Sequence, residues 1–393
     1  MFAIILNMIK RAIATKINSL ARQFPVICVT GPRQSGKTTL VKNIFPRHKY
    51  VSLEDLDTQE YAQRDPRGFL ADHTDGMIID EIQRVPELLS YMQGIVDAHQ
   101  RPAEFVITGS QNILLHEKVS QTLAGRMALM RLLPFSIAEL DDAGILPKKS
   151  EALVYKGGYP RIHARHAEPA DWYPAYVRTY VERDLHLIKN ITDLSLFQKF
   201  MRLCAGRIGQ IVNLTTLGND CGVSHTTARA WLSILEASYI VFLLQPYHKN
   251  FNKRLIKSPK IYFYDTGLAC YLLGIDKPST LSTHYLKGGL FESMVISDII
   301  KHQWNNGKEH GCYFWRDKAG HEVDCIVEDS GHPKAIEIKS GRTIAADYFD
   351  GIRYFTAASK TEAGSSWIVY AGDEQQKRTA ATVLSWKSID KIF

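Results

Sequence analysis

The sequence predicts an α/β fold class: a parallel sheet around a phosphate-binding loop, then a small helical lid, a winged helix and a second α/β domain. Three observations carry that prediction. Short apolar runs alternate with helical patterns between residues 26 and 133, as in parallel strands joined by crossover helices. A glycine-rich loop ending in Lys-Thr follows the first of these runs. Beyond it, a basic helical stretch at 195–247 gives way to strands that carry acids and a lysine at fixed spacing. The expected divisions are 1–150, 151–194, 195–265 and 266–393.

The totals agree with folded protein of this kind. A chain of 393 residues suggests two or three domains, and 45% apolar residues suffice for ordinary cores. Six scattered cysteines without a C-x-x-C pair give neither a disulfide framework nor a zinc site, and lead us to expect a cytoplasmic protein. The apolar start, Phe2 to Ile9, is too short to span a membrane, and its charges follow it, so it is a poor signal peptide. A start at Met8 reads more naturally, with the first seven residues as an extension. No membrane partner is expected.

In chain order, residues 8–24 read as a basic amphipathic helix and Val26 to Thr30 as a buried strand. Then comes Gly31-Pro32-Arg33-Gln34-Ser35-Gly36-Lys37-Thr38-Thr39, which fits G-x-x-x-x-G-K-[ST] from Gly31 to Thr38 and opens a helix. The glycines let the backbone approach phosphates, and the N–H groups at a helix start face negative charge. Lys37 is placed for the β- and γ-phosphates and Thr38 for Mg²⁺, so ATP with Mg²⁺ is the expected ligand. Tyr50 to Leu53 reads as a second strand, and Met77-Ile78-Ile79 as a third ending in Asp80-Glu81. Asp80 is expected in the Mg²⁺ shell and Glu81 as the base for attacking water. Phe105 to Gln111 reads as a strand with a polar tip, where Ser110 or Gln111 senses the γ-phosphate or simply forms a turn. Arg126, before a further strand at 128–133, is a candidate arginine finger, in cis or from a neighbouring subunit; otherwise it is a surface residue. Glu182-Arg183-Asp184 on a helix around 176–188 is a second candidate.

Net charge is +7 and unevenly spread: between Ser195 and Asp265 nine Lys and Arg stand against three acids. Three short helical patterns lie there, the last two separated by Gly222-Val223-Ser224-His225. That order is helix-turn-helix, with Thr226, Thr227 and Arg229 opening the recognition helix. Tyr239 to Leu244 would start a winged hairpin, with Lys249, Lys253, Arg254, Lys257 and Lys260 in or beyond the wing. The local charge points to nucleic acid, DNA first; a protein-docking winged helix is the alternative. Near the C-terminus, Glu292 falls on a helical pattern at 286–303, Asp324 on a hairpin strand, and Glu337 and Lys339 two apart on another strand, hence on one face. Three carboxylates and a lysine suit Mg²⁺ or Mn²⁺ and cleavage of a phosphodiester. A solvated charged face or an unused nuclease fold are the alternatives.

These residues carry a resemblance. The chain resembles the prokaryotic AAA-type (AAA_14) ATPases with a C-terminal domain of unknown function, DUF4143, from about Met8 to Phe393. The likeness rests on the phosphate loop, Ile79-Asp80-Glu81-Ile82-Gln83, Thr108-Gly109-Ser110-Gln111, Leu123-Ala124-Gly125-Arg126, Gly157-Gly158-Tyr159-Pro160, Glu182-Arg183-Asp184, the Lys253–Lys260 block and Asp265-Thr266-Gly267-Leu268. It also rests on Glu292, Asp324, Glu337 and Lys339. Ser35 departs from the Val common in relatives. The resemblance implies an ATPase domain, a winged helix and a PD-(D/E)xK nuclease-like domain. ATP residues carried over are Gly36, Lys37, Thr38, Asp80 and Glu81. Nuclease residues carried over are Glu292, Asp324, Glu337 and Lys339. The expectation is an ATP-dependent DNA-processing protein, a homo-oligomer if Arg126 acts in trans. Its rivals are a nucleotide-switched DNA-binding or scaffold module with an inactive nuclease fold, and a remodelling subunit acting on protein.

Overall fold

The computed structural model describes residues 9–110, 123–181, 193–247, 257–329, 331–359 and 366–393. The first eight residues, Gln111, Glu182-Arg183-Asp184 and the expected wing cations Lys249, Lys253 and Arg254 lie outside the described residues. Five parallel strands form the first sheet: β1 (Val26–Thr30), β2 (Lys49–Ser52), β3 (Met77–Asp80), β4 (Phe105–Gly109) and β5 (Met127–Arg131), in the order β2-β3-β4-β1-β5. Alternate side chains of β1 serve opposite faces, as the period of a strand requires. Val26 and Cys28 pack with Met77, Ile79, Phe105 and Ile107, whereas Ile27 and Val29 pack with Leu40, Val41, Ile78 and Val106. Helix Ile13–Leu20 buries Ile13 and Ile17, one turn apart, on that second face.

After Leu132 the described residues pack differently. Leu133, the short helices from Ile137 to Tyr176, the helices of 194–237 and one face of the C-terminal strands share a hydrophobic core reaching Ile392, while other residues of those strands pack in two smaller clusters around Trp315 and Ile368. Helices Leu194–Ala205, Leu214–Cys221 and His225–Ala237 are capped by Asp193, Asn213 and Ser224, each accepting a backbone N–H. Gly222 ends the middle helix with φ 88°, and a Cβ on Gly218 would come within 2.8 Å of the Val223 carbonyl, so the turn between the last two helices is tight because its residues are small. Between the first two helices, Gly209 N donates to Ile261 O at 2.8 Å and Ile261 N to Gln210 O at 3.0 Å. A short extended segment thereby lies beside β7 (Lys260–Phe263), which pairs antiparallel with β6 (Val241–Pro246).

That hairpin is also the edge of a larger sheet. β6 pairs parallel with β8 (Cys312–Arg316), followed by β9 (Glu322–Asp329), β10 (His332–Lys339), β11 (Ser366–Tyr370), β12 (Gln376–Lys377) and β13 (Thr382–Ser385), in the order β12-β13-β11-β10-β9-β8-β6-β7. Strands before residue 265, β6 and β7, and strands after it, β8 to β13, thus belong to one sheet. Lys260, expected on a nucleic-acid-facing wing, is 3% exposed.

Asp265 fastens this junction. Its Oδ1 accepts Leu268 N at 3.0 Å and Tyr173 Oη at 2.6 Å, and its Oδ2 accepts Gly158 N at 2.7 Å. The side chain thus caps one helix and holds the Gly157-Gly158-Tyr159-Pro160 turn. Replacing a buried, hydrogen-bonded charge costs about 3–5 kcal/mol. Asp265→Ala is expected to lower urea-unfolding stability by that amount, and Asp265→Asn by less.

Candidate functional sites

The phosphate loop leaves the C-terminal end of β1, where β3 and β4 also end. Gly31 has φ 146°, and a Cβ there would lie 2.1 Å from the Leu132 carbonyl oxygen, so only glycine fits. Gly36, at φ 94°, precedes helix Lys37–Ile44. Lys37 is 5% exposed, and its Nζ donates to the carbonyls of Gly31 and Pro32 at 3.0 and 2.9 Å. Arg33 pairs with Glu54 at 3.6 Å. Thr38 Oγ1 donates to Asp80 Oδ2 at 2.8 Å. Tyr50 Oη donates to the same oxygen at 2.9 Å, and Thr108 Oγ1 bonds Asp80 Oδ1. Burial first, and the Asp80 charge second, push the Tyr50 hydroxyl up to about 12, so it stays a donor.

Glu81 turns the chain with φ 58° and ψ 48°, a conformation uncommon for a non-glycine residue, directly after β3. Its Oε2 accepts Ser110 Oγ at 3.1 Å and bonds Gln83, whose Nε2 also donates to Ser110 Oγ at 3.2 Å. Loop, Thr38, Asp80, Glu81 and Ser110 are thus brought together as expected. Adjacent hydroxyl and carboxylate oxygens of Thr38 and Asp80 are the hard donors that Mg²⁺ takes, so these residues fit that ion.

Arg126 is not brought to this site. It precedes β5 beside Val26, at the start of β1, whereas the loop begins after Thr30. Parallel strands of this length hold the two ends about 15 Å apart. Its Nη2 donates to Asp97 Oδ2 at 2.9 Å and its Nε bonds the other oxygen. Action in cis is excluded by that placement.

A residue missed in the sequence reading does reach the loop. Arg11, 8% exposed, donates through Nη1 to Ser35 O at 2.8 Å, through Nη2 to Leu133 O at 2.6 Å and through Nε to Glu139 Oε1 at 3.1 Å, with its Cζ 4.8 Å from the Phe135 ring centroid. Glu139 also accepts Ala12 N and Ser136 N. From the other side, Asp298 accepts Ile137 N at 2.7 Å and Lys301 donates to Phe135 O at 3.0 Å. Burial pushes Asp298 up to about 6, with Lys301 opposing. Tyr239 Oη lies 3.0 Å from Thr30 Oγ1, another link from the helical segment to the loop. No local motif marks these pairs.

The C-terminal constellation gathers around helix Lys287–Asn305, β9 and β10. Glu292, Asp324, Glu337 and Lys339 come within electrostatic reach of one another, as expected. Lys339 Nζ donates to Glu337 Oε1 at 2.6 Å. Asp324 Oδ2 accepts Ile338 N at 2.8 Å, just beyond the β9–β10 pair of Ile336 with Cys325. Glu337 Oε2 is buried without a hydrogen-bond partner, and a Cβ on Gly351 would lie 3.2 Å from it. Unexpectedly, Lys260 Nζ donates to Glu292 Oε1 at 3.2 Å and bonds Glu322, while Tyr262 Oη bonds Glu292. Burial raises the pKa values of Glu292, Asp324 and Glu337. Burial works against the charge of Lys260, but Glu292, Asp324 and Glu322 outweigh it and raise its pKa.

The ammonium of Lys260 stands beside the carboxylates expected to hold a metal ion. Among the described residues no group of three or more His, Cys, Asp or Glu side chains is arranged to hold a metal ion. The six cysteines are buried free thiols, and among the described residues no helix is long and apolar enough to cross a membrane.

Three family models match the chain: an AAA domain over 23–141, a domain of unknown function (DUF8612) over 147–279 and a domain of unknown function (DUF4143) over 287–389. The chain is 32% identical over 339 residues to the uncharacterized protein Rv2008c of Mycobacterium tuberculosis, covering 85% of this chain and 74% of that protein. It is 24% identical over 212 residues to an uncharacterized protein of Haemophilus influenzae, covering 50% and 52%. Among solved structures it is similar to the Walker-type ATPase PABY2304 of Pyrococcus abyssi, with TM-score 0.45 and 13% identity over 68% of this chain and 96% of that one.

Arg11→Ala strands buried acceptors around the phosphate loop. It is expected to cost about 3–5 kcal/mol in urea unfolding and to weaken binding of a fluorescent ATP analogue about tenfold or more. Arg11→Lys, which keeps the charge and loses the fork, is expected to fall between.

Proposed function

The chain belongs to the family of AAA-type ATPases that includes the mycobacterial protein and carries DUF4143, and on that premise we propose that it is an ATP-hydrolysing switch for a nucleic-acid-binding module. The observation that carries this reading is the hydrogen-bonded path from the phosphate loop through Arg11 to the 133–139 segment, and from there to Asp298 and Lys301. Loop amides and Lys37 bind the phosphates. Mg²⁺, held through Thr38 and Asp80, would neutralise phosphate charge when bound. Glu81, oriented by Ser110 and Gln83, takes the proton of the attacking water. Because Ser35 O is tied to Arg11, a loop that shifts on gaining or losing phosphate moves the 133–139 segment with it.

Two features support DNA as the partner. The three helices, the extended segment beside β7 and the β6–β7 hairpin occur in winged-helix order. At the start of the last helix, His225, Thr226 and Arg229 are exposed, as are Lys199, Arg202 and Lys257. The nuclease-like C-terminal domain is proposed as a contact module without a metal-dependent step, since Lys260 already pairs with Glu292 and Glu322. Arg126 serves, if at all, from a neighbouring subunit.

Lys37→Ala is expected to weaken ATP binding about 10–100-fold, the value of a charge-assisted contact. Glu81→Gln is expected to bind ATP normally and to hydrolyse it at least about 100-fold more slowly in a phosphate-release assay. DNA affinity, measured by fluorescence anisotropy, should differ between ATP-loaded Glu81→Gln and the ADP-bound wild type, and Arg229→Ala with Lys257→Ala should reduce both affinity and salt dependence. Identical DNA affinity in both nucleotide states removes the switch. Cleavage of linear or circular DNA by wild type with Mn²⁺, lost in Asp324→Ala, removes the contact-module reading. Mixing Lys37→Ala with Arg126→Ala subunits restores hydrolysis only if Arg126 acts in trans.

A further inference from the structure

Lys260 occupies an unusual position for a lysine. It lies on β7, the outermost strand of the eight-stranded sheet, and its side chain is 4% exposed. Its ammonium meets Glu292 from helix Lys287–Asn305 and Glu322 from β9, and the nearby Asp324 carboxylate also favours its charge. The Phe314 ring centroid lies 5.5 Å from Nζ. Lysine is almost never so buried unless paired, and here it is paired more than once. Glu292 is 14% exposed, Glu322 24% and Lys339 32%, so among the described residues the cluster is most open to solvent on its Glu322–Lys339 side. One oxygen, Glu337 Oε2, is buried and unpartnered.

We propose that Lys260 is the resident cation of the C-terminal carboxylate cluster: its ammonium holds Glu292 and Glu322 together, beside Asp324, without a divalent ion, and removing it uncovers a latent divalent-cation site. The inference rests on the contact-module reading of this domain and deepens it. Several carboxylates converging in a poorly solvated place repel one another unless a positive charge stands among them. In the wild-type protein that charge is covalently attached to β7, so it cannot diffuse away, and it ties the helical segment of 194–263 to the C-terminal sheet at the same point. Glu337, within electrostatic reach of Asp324 and Glu292, contributes one oxygen, Oε2, that no donor occupies. Gly351, where a Cβ would press on that oxygen at 3.2 Å, leaves it room.

The test uses full-length, nucleotide-free protein and the metal ion alone. Mn²⁺ binding is followed by water-proton relaxation or calorimetry for wild type, Lys260→Met, Lys260→Arg and Lys260→Met with Asp324→Asn. Wild type and Lys260→Arg are expected to show no saturable site below about 1 mM. Lys260→Met is expected to bind one Mn²⁺ per chain at least about tenfold more tightly, the effect of a unit charge a few ångströms away, and Asp324→Asn is expected to abolish that site. Melting temperature gives a second readout: EDTA and Mn²⁺ leave wild type unchanged, whereas Lys260→Met melts lower and recovers on adding Mn²⁺. Should Lys260→Met fail to fold in the absence of metal, Lys260→Gln with Glu322→Gln removes one charge of each sign and keeps Glu292, Asp324 and Glu337 for the same titration. A folded Lys260 variant that takes up no Mn²⁺ overturns the latent site and leaves the contact-module reading standing. A wild-type site as tight as that of Lys260→Met, and lost with Asp324→Asn, overturns both.

Discussion

The guanidinium of Arg11 sits where a charge is tolerated only if every donor is used. It bonds two main-chain carbonyls and a carboxylate, and it lies over an aromatic ring. Leaving such a group unpaired in a protein interior is prohibitive, so the neighbours of Arg11 are fixed with it. A planar fork with set angles does this in a way that a flexible ammonium does not. The carbonyl of Ser35 is therefore held from outside the phosphate loop, by a residue at the entrance to the first helix. The conformation of the loop and the position of the 133–139 segment become one variable.

What that segment touches next is helix Lys287–Asn305, which accepts from Ile137 through Asp298 and donates to Phe135 through Lys301. Glu292, six residues before Asp298 on the same helix, reaches the carboxylate cluster. At 1.5 Å per residue the two points are about 9 Å apart along a rod that does not compress. The two chemical constellations thus share a mechanical element. Coupling between them needs no long pathway of side chains, only a small displacement of this helix.

The parts of the molecule that were legible in the sequence are those whose signal is local. The phosphate loop, β3 with Asp80-Glu81 at its end, the capped helices of 194–237 and the β8–β9–β10 run are each specified by neighbours in the chain. Even the convergence of Glu292, Asp324, Glu337 and Lys339 could be anticipated, because strand periodicity puts Glu337 and Lys339 on one face. What was not legible depends on pairing across long sequence separations. Arg11 meets Glu139 at a distance of 128 positions, and Thr30 meets Tyr239 at 209. The join of β6 to β8, across the boundary expected at 265, is of the same kind. Arg126 failed as a cis candidate for a related reason: a motif gives a residue type, while the strand order decides at which end of the sheet that residue lies.

Charge counted along a segment is a sum over side chains with different solvation, and the 195–265 stretch exposes the weakness of the sum. Arg207 is committed to Asp220 beside it, and Lys260 is turned inward to carboxylates contributed by residues beyond 290. Neither contributes the field at the surface that an anionic partner would feel. What remains on the surface among the described residues is Lys199, Arg202, Arg229 and Lys257, a smaller set than the count implied, but one that includes the exposed opening of the last helix. The same lysine that weakens the electrostatic case for a basic wing accounts for the C-terminal cluster: a positive charge that looked available to a polyanion is spent inside the protein, beside the carboxylates expected to hold a metal ion.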